Sequence, residues 1–246
     1  MPAEISAPPI TIYHFTQWKA GSQWVQGVLT ELEPERILVP SAEFSDGSIF
    51  PEIEPGRIYS PLYINRLRFD ESPLAGVEHR KFVVIRDLRD TLVSWYYSLV
   101  KTHEENERVV EHRRKLASMD RESGLLYLLA HPDFFGLSMV SSTWVQAADT
   151  LVVRFESLIK DPARWFGMIC RECGISVSEA RLVAALDQRS FDNLSGRSKG
   201  ADSSGSHYRK GVAGDWRSHF TPAIADEFIR RYDDLLIRTG YSPTVI

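Results

Sequence analysis

A three-layer α/β/α fold with a central, mostly parallel sheet is predicted by two observations. Lys81–Ile85 and Thr150–Phe155 are continuous apolar runs of the kind buried on both faces of a parallel sheet. Between such runs, apolar residues recur at helical spacing, so strands and helices alternate along the chain.

The elements follow in order. Ile10–Phe15 is β-rich and ends in a loop, after which Trp24, Val25, Val28, Leu29 and Leu32 give Gly21–Leu32 a helical stripe. Gly56–Leu62 reads as the second strand. Lys81–Ile85 is the next, with a helix over Arg89–Val100. Residues 101–123 are dense in charge and predict a solvated helix or mobile insertion. Leu125–Ala148 is helical with a break at Pro132. After the Thr150–Phe155 strand, helices are expected at Ala163–Glu172, Ser178–Leu186 and Pro222–Thr239. Residues 195–208, rich in Gly and Ser, predict a flexible loop, and residues 1–9 a disordered tail. The expectation is one domain over 1–246.

Bulk properties restrict the function. The 246 residues are 43% hydrophobic and 25% charged, as in a soluble globular protein, with net charge −4. A pI near 6.0 argues against a nucleic-acid partner, so any anion site must be a local concentration of Lys, Arg and backbone N–H groups. No apolar run approaches the ~20 residues of a membrane span, and a cytoplasmic protein is expected. Cys170 and Cys173 form a lone Cys-x-x-Cys inside a helical stretch, which predicts buried reduced thiols rather than a metal or redox centre.

Three segments carry anion-binding chemistry. The first is the loop Trp18-Lys19-Ala20-Gly21-Ser22-Gln23-Trp24 between a strand and a helix, where free N–H groups and the helix dipole point outward. Gly21 allows close backbone approach, Ser22 offers a hydroxyl, and Lys19 supplies a full charge. Because Lys19 precedes Gly21 and no Gly-Lys-Ser/Thr closes the loop, this is not a Walker A motif, and no metal site is expected. The second is Arg86, just past the end of a buried strand, with Ser94 in the helix behind it. The third is Arg209-Lys210-Gly211-Val212-Ala213-Gly214-Asp215-Trp216. A ligand meeting all three must be negative at more than one place, as a nucleotide phosphorylated at both ends is.

Together these segments resemble the cytosolic sulfotransferase family, over roughly residues 10–35 and 80–240. The resemblance implies a sulfotransferase using 3′-phosphoadenosine 5′-phosphosulfate (PAPS) as co-substrate without a metal. It implies Lys19 on the sulfuryl-bridging oxygen as the catalytic group, and Ala20, Gly21, Ser22 and Gln23 around the 5′-phosphate with Trp24 against adenine. It further implies Arg86, Ser94, Arg209, Lys210 and Gly211 on the 3′-phosphate, with Phe155, Ser190 and Phe191 at the base. The acceptor would be a hydroxyl or amine of a small molecule, glycan or lipid.

The chain departs from the family at its general base. Where the family has a His after the second strand, Tyr59-Ser60-Pro61-Leu62 stands here, leaving Glu43, Asp46, His79 and His131 as candidates. The alternatives are a nucleotide-binding protein without catalysis and a P-loop nucleotide kinase. Arg217–Glu227 matches the family's dimer segment in part, which leaves a homodimer open.

Overall fold

The computed structural model describes residues 9–101, 107–190 and 212–242. Five strands, β1 (Thr11–Thr16), β2 (Ile37–Leu38), β3 (Ile58–Leu62), β4 (His79–Ile85) and β5 (Leu151–Arg154), form one sheet in the order β2-β3-β1-β4-β5. Every pairing is parallel. All carboxyl ends therefore point the same way. Because β1 lies between β3 and β4, the crevice beside its carboxyl end is the topological switch point where ligands of open α/β sheets bind.

Eleven helices are described. They are α1 (Ser22–Leu32), α2 (Ala42–Ser45), α3 (Arg66–Asp70), α4 (Leu88–Lys101), α5 (Glu107–Leu116) and α6 (Arg121–Ala130). Then come α7 (Pro132–Trp144), α8 (Phe155–Lys160), α9 (Pro162–Cys173), α10 (Glu179–Gln188) and α11 (Pro222–Thr239). One sheet face, with Ile12, Ile58, Phe82, Val84 and Val153, packs on α1, α9 and α10 through Val25, Phe166, Ile169 and Leu182. The other, with Tyr13, Phe15, Tyr59, Val83 and Ile85, packs on Phe69 of α3 and Val140 and Trp144 of α7. The strand alternation that sends odd and even residues to opposite layers is what makes both faces apolar. A third cluster joins α4, α5, α6, α7 and α11 through Leu92, Trp95, Val109, Leu116, Leu128, Phe134 and Phe228.

Several expectations change. The charged 101–123 stretch is no solvated appendage in its described part: α5 buries Val109, His112 and Leu116 and packs into the helical core. Three inward positions at i, i+3 and i+7 suffice to dock a helix whose other residues are charged. Phe155 does not end a strand but opens α8, because β5 stops at Arg154. Pro132 separates α6 from α7, sitting in the first turn of the second, where its missing N–H costs nothing. The cysteines are free and buried, and burial pushes their thiols up to about 11 for Cys170 and about 12 for Cys173. The loop expected over 195–208 lies outside the described residues. No helix among those described is long and apolar enough to cross a membrane.

Candidate active site

The site is assembled where β1 and β4 end. Gln17, fully buried, ties the two loops together: its amide donates to the Arg86 carbonyl at 3.0 Å and to Thr91 Oγ1 at 2.9 Å, while Ser141 of α7 donates to its carbonyl. Thr16 adds a bond to the Val84 carbonyl at 2.9 Å. A buried polar residue with all its groups paired fixes the geometry of such a junction.

The chain then makes a turn that needs left-handed backbone twice, with Lys19 at φ 66° and Gly21 at φ 81°. Only Gly21 could stand where it does, since a Cβ there would lie 2.7 Å from the Phe155 ring. Lys19 adopts a conformation that costs an ordinary L-residue roughly 1–2 kcal/mol, a strain of the sort concentrated at functional sites. Helix α1 follows with no side-chain cap at Gly21, so its first N–H groups and the positive end of its dipole are left for an anion.

Cationic side chains converge on this turn. The Arg86 guanidinium donates to the Lys19 carbonyl at 2.9 Å and to the Val212 carbonyl at 3.3 Å, and lies over the Phe155 ring at 4.8 Å. Lys19 Nζ donates to Ser98 Oγ of α4 at 3.1 Å. Burial, with a smaller push from Arg86, brings the Lys19 ammonium down to about 8. An anion placed between these two charges would reverse both effects.

The expected site residues divide clearly. Lys19, Gly21, Arg86 and Phe155 meet directly. Ser22 faces Tyr63, with the two hydroxyl oxygens 3.0 Å apart. Ala20 is buried in the core and its N–H donates to the Gln17 carbonyl at 3.4 Å, so its part is packing the turn. Gln23 is exposed, and Trp24 is half-buried with its ring edge-on to Phe166 at 5.4 Å. Ser94 is half-buried on α4, one turn before the Ser98 that holds Lys19. Ser190 follows α10, whose neighbouring Arg189 donates to Glu31 of α1 at 2.9 Å. Phe191, Arg209, Lys210 and Gly211 lie outside the described residues. Val212, the first residue described after them, is the one Arg86 bonds. Buried Asp90 then accepts from the N–H groups of Gly214 at 2.7 Å and Trp216 at 2.9 Å. Arg89, paired with Asp87 at 2.7 Å, stacks over Trp216 at 4.1 Å.

Of the four base candidates, His79 is corrected by the topology. It is the first residue of β4, level with Thr11 at the start of β1, and so stands at the opposite end of the sheet from Arg86 and Lys19. Its imidazole packs against Tyr13 and Phe69. His131 is drawn into a cluster with His112 and Asp133. Glu43 and Asp46 are exposed on or beside α2, at the carboxyl side of the sheet, where Tyr63 N–H donates to the Ser45 carbonyl at 2.6 Å. Glu43 borders a cavity of 350 Å³ lined by Leu38, Phe44, Ile49 and Tyr59. Sequence reasoning missed His14, wholly buried on β1, whose Nδ1 lies 2.7 Å from Ser60 Oγ of β3 and whose ring stacks on Phe82. Burial pushes it down to about 3, which keeps it a neutral imidazole. It also missed Ser98, a polar partner brought in by folding from 79 positions away.

A parallel α/β sheet whose switch-point loop carries a lysine, an uncapped helix and a facing arginine, with no Walker A motif, has the chemistry of an anion-binding α/β protein. Residues 78–240 match the family model of the sulfotransferase domain, and the chain belongs to that family of sulfuryl-transferring enzymes. A 3-beta-hydroxysteroid sulfotransferase of Cavia porcellus is 29% identical over 240 residues, spanning 92% of this chain and 77% of that protein. A 3-alpha-hydroxysteroid sulfotransferase of the same organism is 24% identical, over 92% of this chain and 82% of its own length. Among solved structures, a mouse sulfotransferase complexed with PAP shares the fold at TM-score 0.69 and 17% identity, over 93% of this chain and 86% of that one. Retinol dehydratase in complex with androsterone and inactive cofactor PAP does so at TM-score 0.65 and 14% identity, over 94% and 81%.

Proposed function

We propose that this sulfotransferase takes its sulfuryl group from PAPS and gives it to a hydroxyl of a small, largely apolar molecule. The observation that carries the reading is the meeting of Lys19, Arg86, Phe155 and the uncapped start of α1 at one point of the sheet. The 5′-phosphosulfate is assigned to the α1 N-terminus, with Gly21, Ser22 and Gln23 offering backbone N–H groups. Arg86, Ser94, Arg209, Lys210 and Gly211 are assigned to the 3′-phosphate, and Trp24, Phe155, Ser190 and Phe191 to the adenine. The hydroxysteroid sulfotransferases among the relatives support an alcohol acceptor.

In the transfer, the acceptor oxygen forms a bond to sulfur as the bond from sulfur to the 5′-phosphate oxygen breaks, and the acceptor's proton passes to water. Adenosine 3′,5′-bisphosphate (PAP) departs with one more negative charge on that bridging oxygen. Lys19 Nζ, released from Ser98, neutralises it, the electrostatic contribution that weighs most in such displacements. Replacing Lys19 with Ala is expected to lower kcat by about 10²–10³-fold while leaving most of the bisphosphate affinity.

The test is transfer of labelled sulfate from PAPS to hydroxysteroids and simple phenols by wild type and Lys19→Ala. Sulfated alcohol formed by the wild type and lost in the variant is the expected result. Bisphosphate binding with no transfer to any acceptor would make the chain a nucleotide-binding protein without catalysis. Transfer of phosphate from ATP would instead make it a kinase.

A further inference from the structure

We propose that His112, His131 and Asp133 form a binding site for a zinc-like divalent cation, apart from the transfer site and with no role in its chemistry. His112 lies on α5 and is buried, His131 stands at the junction of α6 and α7, and Asp133 is in the first turn of α7 with its carboxylate almost wholly covered. The fold thus brings α5 and the α6–α7 junction to one spot.

The spacing is that of a coordination shell. His112 Nε2 is 3.2 Å from Asp133 Oδ2, and His131 Nδ1 is 3.5 Å from Asp133 Oδ1. Donors bound tetrahedrally at 2.0–2.1 Å stand about 3.3 Å apart, and each imidazole is already that far from one of the two Asp133 oxygens. One donor atom from each residue falls within 4.8 Å of the others, so a modest contraction closes the set around one ion.

The surroundings suit the same purpose. The second nitrogen of His112, Nδ1, lies 3.2 Å from the Tyr127 hydroxyl, the outer partner that a metal-bound histidine ordinarily has. His131 Nδ1 accepts the Asp133 N–H at 3.2 Å as the N-cap of α7, a bond that a cation taking the same lone pair would displace. Arg108 reaches the Asp133 carboxylate with a side chain 61% exposed, so it can swing into solvent when a cation takes its place. The site would pin α5, which also packs on α4 through Trp95 and the Arg113 bond to the Leu99 carbonyl, to the α6–α7 junction.

The test uses the full chain, untagged and stripped with chelator, titrated with Co(II) and followed by visible absorption and calorimetry. One Co(II) per chain with the intense spectrum of a tetrahedral site, displaced by Zn(II), is expected. His131→Gln should weaken it by ~100-fold or more. Arg108→Ala, a surface change that leaves the core intact, should tighten it by removing the competing cation. No stoichiometric signal at micromolar Co(II) would overturn the proposal. So would an affinity unmoved by His131→Gln and by Asp133→Asn, or one weakened by Arg108→Ala.

Discussion

Lys19 has an ordinary sequence context and an unusual physical state. Its backbone is left-handed, its ammonium is buried beside Arg86, and its affinity for a proton falls from 10.5 to about 8. Because the folded value lies below the unfolded one, the charged lysine destabilises the fold. That penalty is complete below about pH 8 and disappears as pH rises toward 10.5. The role proposed for Lys19 has the opposite need, since only the ammonium would neutralise a leaving group. The kcat/KM for donor should therefore fall as pH rises through about 8, as a pH–rate profile of the free enzyme will show. Above that pH, bisphosphate binding should take up a proton, read as a calorimetric enthalpy that changes with the ionisation heat of the buffer. A binding enthalpy indifferent to buffer at pH 9 would contradict this role for Lys19. At this scale the sequence revealed Lys19, Gly21 and Arg86, because each belongs to a local strand–loop pattern. His14 and Ser98 were not legible, since their partners come from distant segments that only the sheet order brings together.

Among elements, the strongly apolar strands and the helices flanking them were legible from periodicity, and β1, α1, β4 and α11 fall within a residue or two of their expected bounds. The two-residue β2 was not, being too short to show a period. The reading of α5 failed for a different reason: charge density describes its solvent side and conceals a narrow buried stripe. If α5 is part of the core, Leu116→Ala should cost about 2–5 kcal/mol in denaturant unfolding. A loss within ±0.5 kcal/mol would be the behaviour of a solvated insertion. Asp90 makes the corresponding case for the segment that returns beside Arg86. Its carboxylate takes two backbone N–H groups, from Gly214 and Trp216, in a buried setting. Asp90→Ala should lower stability by about 1–3 kcal/mol and weaken bisphosphate binding by loosening the chain at Val212. Binding unchanged in a folded Asp90→Ala variant would show that this anchor does not serve the nucleotide.

For the whole molecule, alternation of buried strands with helices was enough to predict a parallel three-layer fold, because only that arrangement hides both faces of such strands. The strand order was not contained in the pattern, yet it decides which loops can meet. Placing β1 between β3 and β4 puts Lys19 against Arg86 and sends His79 to the far end, removing it as a base. The function proposed here requires this junction to hold a nucleotide charged at both ends. The most direct measurement is a calorimetric titration, in chelator, with adenosine 3′,5′-bisphosphate, with adenosine 5′-phosphate and ATP as controls. Tight binding of the bisphosphate, with the other two much weaker, is the predicted result. Equal affinity for the bisphosphate and the 5′-phosphate would contradict it.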